Sequence, residues 1–372
     1  MQTTVAEHLY IHVPFCHRIC PYCSFYKHLP GKNSQGDLVT AMLAEAADLA
    51  DSRDIQPRTI YLGGGTPSLL KAKHLANLFA GLESTFDLSL LEEASMEANP
   101  RTFDADKAQA FHDIGIHRIS LGVQSWDPEV LKTLGRDHSP DEAEEAYQLL
   151  RSAGIPSVNL DLMFSIPGQS QQSWEDTLAR TIGLKPDHIS AYNLNYEEDT
   201  EFFEKLGAGE FSEDEETDAD HFSHAMDQLD DAGFEHYEIS NYAKAGKRSL
   251  HNQAYWAGKD YLALGPGAVS TLDGVRTTNI KDTAAYLRGW LAGEPPERES
   301  EPLSEESRLI ERIALGLRRS DGMDRAVLPP TALEDLLGAG LVETDGADAV
   351  RLTRRGRMLA DPVVGHLVDA LA

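Results

Sequence analysis

Three cysteines in 372 residues are too few for a disulfide framework, and Cys16, Cys20 and Cys23 lie within eight residues of one another. Basic residues are scarce as well: 33 Lys+Arg stand against 61 Asp+Glu, a formal net charge of −28. Such a surface repels phosphate backbones and anionic lipid, which argues against general nucleic-acid binding and electrostatic membrane docking. No apolar run approaches the ~20 residues that span a bilayer. The opening Met1-Gln2-Thr3-Thr4-Val5-Ala6-Glu7-His8 lacks the basic-then-apolar order of a secretory leader, so the expected location is cytoplasmic. Internal repeats and low-complexity tracts are also missing. Hydrophobic residues make up 41% and charged residues 25%, the balance of a folded chain. The length exceeds what one core needs unless the fold is an α/β barrel.

Up to about residue 195, short β-rich runs alternate with amphipathic stretches. The strands are expected at Leu9–Val13, Thr59–Leu62, Ala94–Glu97, Arg118–Val123, Val158–Phe164 and His188–Leu194. Six βα units predict a parallel sheet, either open and doubly wound or a partial barrel. An acidic stretch at Glu197–Glu216 precedes a helical segment (Asp218–Ala232) and a β-like run (Glu235–Ile239), and 241–293 reads as irregular and rich in glycine and aromatics. Gly293-Glu294-Pro295-Pro296 reads as a boundary. Beyond it, two helices and a small hairpin turning at Asp345-Gly346 form a winged-helix-like α+β module. The expected organisation is a barrel over 1–195, an extension over 196–295 and a C-terminal module over 296–372.

The cysteines form C-x3-C-x2-C directly after the first predicted strand. Clustered thiols in such a chain point to a metal. A closed zinc site needs four protein ligands, and His12, His17 or His28 could supply the fourth. Three thiolates also suit a four-iron cluster with one iron left open for a ligand. In a barrel, functional groups gather at the C-terminal strand ends. Alternation puts Tyr10 and His12 on one face of the first strand. Gly63-Gly64-Gly65-Thr66-Pro67 ends the second, where missing side chains would let a small ligand approach the backbone. Glu97 ends the third strand, Gln124 ends the fourth, and Asn159 and Asp161 lie on the fifth. Polar groups in apolar β-runs are costly unless paired, which marks them as site candidates.

The cysteine motif resembles that of the radical S-adenosylmethionine (SAM) superfamily, whose open cluster iron chelates SAM. The resemblance implies a partial (β/α)6 TIM-type barrel, a [4Fe-4S] cluster, SAM and a low-potential electron donor. Across almost the whole chain the sequence is similar to oxygen-independent coproporphyrinogen III oxidases and their haem-chaperone relatives. The motifs are Leu9–Cys16, Gly63–Ser68, Ser95–Pro100, Ser120–Ser125, Leu134-Gly135-Arg136 and Asn159–Gly168. By motif position, the resemblance implies that Cys16, Cys20 and Cys23 bind the cluster and that Tyr10, Gly64 and Glu97 contact the bound SAM. Tyr22, Gly65, Thr66, Gln124, Arg136 and Asp161 match positions that line a second SAM site in the oxidase.

Three departures separate the chain from the oxidase. Phe25 stands where the oxidase motif has a fourth cysteine, and the oxidase's N-terminal extension has no counterpart before Cys16. In addition, His251-Asn252-Gln253-Ala254-Tyr255-Trp256 matches the H-N-x-x-Y-W signature of the haem-chaperone branch. That branch binds haem and delivers it to apo-haem proteins, so His251, Tyr255 and Trp256 become haem candidates, with His251 as an axial ligand. The resemblance allows a homodimer and at most transient membrane association. The oxidase activity is the alternative function. A DNA-binding C-terminal module, with Arg318, Arg319, Arg351, Arg354, Arg355 and Arg357 as its footprint, is the third reading. The acidity of the chain weighs against it, and no nucleic-acid partner is expected.

Overall fold

A computed structural model describes residues 5–31, 35–346 and 348–371; residues 1–4 of the stretch read for a leader lie outside them. The first half alternates as expected: β1 (Ala6–Val13), α1 (Gln35–Ser52), β2 (Ile55–Gly64), α2 (Ala72–Thr85), β3 (Glu93–Ala98), α3 (Ala105–Asp113), β4 (Arg118–Gln124), α4 (Pro128–Thr133), α5 (Pro140–Ser152), β5 (Ser157–Phe164), α6 (Gln171–Gly183) and β6 (His188–Asn193). Local chemistry starts these helices where they start. Ser139 and Glu142 form a reciprocal capping box ahead of Pro140, and Asp104, Asp127 and Ser170 cap α3, α4 and α6.

Strands β1 to β6 pair in parallel and in order, giving the parallel sheet that the alternation predicted and the partial α/β barrel that the resemblance implied. Continuous apolar strand faces such as Leu9, Ile11, Ile60, Leu62, Ile119, Leu121, Leu160 and Leu162 are buried under the helices, as a parallel sheet requires.

The stretch 241–293 is ordered, not irregular. After α7 (Glu201–Gly207), α8 (Glu215–Asp231), β7 (Glu235–Glu238) and β8 (Asn241–Ala243) come α9 (Leu250–Trp256), β9 (Leu262–Leu264), β10 (Val269–Leu272), β11 (Val275–Thr278) and α10 (Thr283–Ala292). Elements of three or four residues carry no periodic signal. Their partners are distant in sequence: β9 adds a further parallel strand beside β1, and β8 joins β6 antiparallel. The sheet therefore has nine strands in the order β7-β8-β6-β5-β4-β3-β2-β1-β9.

Strand β12 (Glu299–Pro302) pairs with β11, and the chain then enters α11 (Glu305–Gly316). The remaining elements are β13 (Met323–Asp324), α12 (Pro330–Gly338), β14 (Val342–Asp345), β15 (Ala349–Leu352), α13 (Arg354–Met358) and α14 (Ala360–Asp369). They surround a core of their own, including Ile313, Leu333, Val350 and Leu367. Beyond the helix pair and hairpin read from sequence, β13 completes a three-stranded sheet, and α13 and α14 close the module. Its arginines are engaged with the chain's own groups. Arg318 pairs with Asp361, Arg319 with Asp321, Arg351 with Glu343 and Asp345, and Arg354 with Asp227 of α8. Arg355 donates to the Ala339 carbonyl and Arg357 to His236.

His236 joins the module to the barrel edge. Its ring stacks on Tyr242 at 4.1 Å, Nε2 donates to the Ile239 carbonyl (3.1 Å), and Nδ1 accepts from Arg357 (2.5 Å). Burial, and then the Arg357 charge, push its pKa down to about 3. Its stabilising contribution is therefore complete above 6.5 and is lost as the pH falls toward 3. His236→Phe keeps the ring without the titration, so its denaturant midpoint should gain on the wild type as the pH is lowered from 7.5 to 5. A pH-independent difference between the two proteins would show that His236 does not titrate this way.

Candidate functional site

The C-terminal strand ends surround a cavity of about 420 Å3. It is lined by Cys16, Cys20 and Cys23 and, from the other expected site residues, by Tyr22, Gly64, Gly65, Thr66, Glu97, Gln124, Arg136 and Asp161. The cysteine loop is held by backbone bonds. The Gly65 and Thr66 amides donate to the carbonyls of Val13 (2.8 Å) and Phe15 (2.7 Å), and the Cys16 amide donates to His28 (3.0 Å). The glycines serve this interlock more than ligand access. A Cβ on Gly65 would lie 2.7 Å from the Val13 carbonyl oxygen and 2.8 Å from that of Phe15, and one on Gly64 (φ +102) would enter the His12 ring. Gly135 (φ +65) similarly admits Pro21 of the loop.

The three thiols are free and share one wall. The Thr66 hydroxyl donates to Cys16 Sγ (3.5 Å) and the Arg136 guanidinium to Cys20 Sγ (3.7 Å). Burial raises the pKa of Cys16 and Cys23, so loading a metal there releases protons. Of the histidines weighed as a fourth ligand, His12 is bound through Nδ1 to Tyr10 (3.1 Å) and through Nε2 to the Tyr26 carbonyl (2.8 Å). His28 is bound to the Leu29 carbonyl (2.9 Å) and to Thr283 (2.8 Å). His17 is anchored through Nε2 to Asp137 (2.6 Å), and its Nδ1 is buried without a partner. Among the described residues no group of three or more His, Cys, Asp or Glu converges on a single-ion position. Three sulfurs with donors on two of them, facing an open cavity, fit a cluster with one uncommitted iron.

Opposite the thiols, a β-bulge between Gly122 and Gln124, with Gln124 at φ +67, turns that side chain into the cavity. A Cβ on Gly122 would lie 3.0 Å from the Gln124 amide nitrogen and 3.2 Å from Arg136, so glycine makes room for both. Glu97 accepts from the Tyr61 hydroxyl (3.0 Å), and burial followed by repulsion from Asp161 raises its pKa to about 7. Asp161 is raised to about 6 by burial, although Ser120 (2.8 Å) and Asn159 (2.7 Å) donate to it.

From Asp161 a buried chain runs down the barrel. Asn159 accepts from His188 Nδ1 (2.7 Å), whose Nε2 accepts from the Tyr237 hydroxyl (2.8 Å). The Ser249 amide donates to that hydroxyl (3.3 Å), and the Ser249 hydroxyl donates to Glu93 (3.3 Å). Beside this chain lies a small cavity of about 20 Å3, room for roughly one water.

The other expected residues lie elsewhere. Tyr10 does not line the cavity; it stands behind Gly63 and is stacked on Tyr61 at 6.2 Å. His251, Tyr255 and Trp256 ride on α9, which closes the opposite, N-terminal end of the barrel. There Glu93, the first residue of β3, accepts from the Leu250 and His251 amides (3.1 and 3.2 Å) and pairs with Arg118 (3.2 Å), the first residue of β4. His251 is buried, bonded to Thr59 (2.8 Å) and stacked on Tyr61 at 5.1 Å, and burial lowers its pKa to about 4. Tyr255 is exposed, and Trp256 lies under Arg318 of the C-terminal module, 5.9 Å away.

Known proteins agree with this geometry. The model of the radical SAM superfamily matches residues 10–181. The chain is 31% identical to the heme chaperone HemW of Bacillus subtilis, covering 97% of this chain and 99% of that one. It is 38% identical to HemW of Escherichia coli over 76% of this chain and 75% of that protein. The chain belongs to the HemW heme-chaperone family. Membership of the radical SAM superfamily implies a [4Fe-4S] cluster and SAM. Among solved structures, the coproporphyrinogen III oxidase HemN of Escherichia coli, a radical SAM enzyme, has the same fold, with a TM-score of 0.83, 21% identity and coverage of 98% and 90%.

Several cavity residues escape a reading by motif. Tyr61, Ser120 and Tyr192 line the wall, and strand alternation from Gly63, Gly122 and Leu194 could have found them. Arg18, Lys27 and Asp137 sit on loops and carry no comparable signal.

Gly65→Ala should cost about 1–3 kcal/mol through the clash with the Val13 and Phe15 carbonyls. It should also lower iron and sulfide per chain after anaerobic reconstitution, whereas alanine at Cys16, Cys20 or Cys23 should remove most of both. Full iron and sulfide in the cysteine variants would overturn this assignment.

Proposed function

We propose that the chain is a haem chaperone on a radical SAM scaffold, binding haem as cargo and passing it to apo-haem proteins. The carrying observation is its similarity along nearly its whole length to proteins named heme chaperones. The site supports the reading in detail. Cys16, Cys20 and Cys23 would hold the cluster, with Thr66 and Arg136 donating to its sulfur ligands. Glu97, Gln124 and Asp161 would orient SAM, which supplies radical chemistry when the cluster is reduced. With pKa values near neutrality, Glu97 and Asp161 can hold or yield a proton beside a bound ligand. Phe25, exposed at the cavity mouth, offers no fourth thiol. No helix among the described residues is long and apolar enough to cross a membrane. A cytoplasmic location belongs to this proposal, as do an electron donor and homodimerisation.

Anaerobically reconstituted protein titrated with haem should show one saturable site per chain by absorbance. With SAM and a reductant it should leave coproporphyrinogen III unconverted. Failure to bind haem, or formation of protoporphyrinogen, would overturn the proposal, the latter in favour of the oxidase.

A further inference from the structure

At the closed end of the barrel, β1 and β2 bring two polar side chains against α9. His8 of β1 and Thr59 of β2 stand opposite each other in the parallel register. Thr59 is 2% exposed, and its hydroxyl lies between two imidazoles, 2.9 Å from His8 Nδ1 and 2.8 Å from His251 Nδ1. The His251 ring also stacks on Tyr61, 5.1 Å away and inclined by 27°, and meets His8 in a T-shaped contact at 6.3 Å. Its backbone amide donates to Glu93. The orientation of this ring is thus set by the strands below it and not by its own helix.

The hydroxyl also constrains where the protons lie. Thr59 has a single proton, so it donates to one Nδ1 and accepts from the other. When His251 Nδ1–H donates to Thr59, the Thr59 proton goes to His8 Nδ1, and the lone pair of a neutral His251 stands on Nε2. That nitrogen makes no hydrogen bond among the described residues, and it is not sealed from solvent as both nitrogens of His221 are. Tyr255, four residues further along the same face of α9, is 46% exposed. The open nitrogen and an exposed aromatic ring therefore share one helix face.

A metal-bound histidine is commonly held in this way. Its second nitrogen donates to a fixed acceptor, which selects the tautomer, aims the ring and raises the basicity of the ligating nitrogen. We infer that Thr59, with His8 behind it, is a positioning residue that presents His251 Nε2 to the iron of haem. The inference rests on the haem-chaperone proposal and adds two residues from outside the His-Asn-x-x-Tyr-Trp motif. It accommodates both the buried place of His251 and a ligand. The bond that ties Nδ1 to the barrel floor is the one that leaves Nε2 to the cargo.

The test is haem titration of the cluster-loaded full chain, followed in the Soret band, with iron and sulfide measured on every sample. Thr59→Val keeps the shape and removes the hydroxyl, and it should weaken haem binding by roughly 10–100-fold, the loss typical when the partner of a ligating histidine is removed. It should also raise the midpoint potential of the bound haem, because a less basic imidazole favours the ferric state less. Thr59→Ser keeps the hydroxyl and should stay near the wild type in both affinity and potential. If Thr59→Val does not fold, His8→Phe decides instead. It frees the Thr59 proton to turn onto His251 Nδ1, and should weaken haem and raise the potential in the same direction. Wild-type affinity in the deciding variant would overturn the inference and leave the chaperone proposal standing. So would lost affinity with an unmoved potential, equal losses in Thr59→Val and Thr59→Ser, or undiminished binding by His251→Ala. Absence of haem binding in the wild type would remove both.

Discussion

The site depends on the contact between the glycine turn after β2 and the chain leaving β1. Two backbone bonds, from Gly65 to Val13 and from Thr66 to Phe15, fix where the cysteine loop begins. They require bare backbone at Gly65, because the space its Cβ would take is filled by carbonyls. The interlock sets Cys16 beside the Thr66 hydroxyl, and Gly135 admits Pro21 so that Arg136 reaches Cys20. Two cysteines thus receive sulfur-directed donors from strands and turns that are far apart in sequence. Burial penalises a free thiolate here, so these donors matter most when the thiolates are shared with a metal.

Below the cysteines, the barrel interior is polar and filled, not an open pore. Glu97 and Asp161 at the top, His188 midway and Glu93 at the bottom are buried ionisable groups. Asn159, Ser120, Tyr237 and Ser249 satisfy much of that polarity through one connected network. Such networks specify geometry when complete and cost stability when broken. The helix carrying the His-Asn-x-x-Tyr-Trp motif forms the lower end of the network. Its first amides terminate on Glu93, and its Trp256 meets the C-terminal module. The motif therefore links the barrel floor to that module, a structural reason for its residue types that needs no ligand.

What could be read from the chain follows from the range of the forces involved. The six barrel strands and their helices were legible because β1 to β6 pair with neighbours in sequence order and bury long apolar runs. The cysteine motif was legible because its three donors are local. By contrast, β8 and β9 are three residues long and owe their existence to β6 and β1, so no window of sequence contains the cause. The place of His251 was hidden for the same reason. Its pattern beside two aromatics suits a ligand pocket, and only the Glu93 and Thr59 bonds show that it faces the barrel floor. The six arginines of the C-terminal module looked like a basic footprint until their partners were visible, and Asp227 lies more than a hundred residues from Arg354.

That pairing bears on how an acidic chain would meet an anionic ligand. Most of the cations named above are neutralised locally by the large excess of carboxylates, so general electrostatic attraction for an anion is absent. An anion can then be recognised only where a cation stands without a carboxylate beside it, and the field of such a site is short-ranged in salt. Arg18 and Lys27 meet that condition at the cavity mouth, next to exposed Phe25. Recognition of an anion by this chain would therefore depend on contacts with individual cations and on the apolar area beside them, and not on the long-range field.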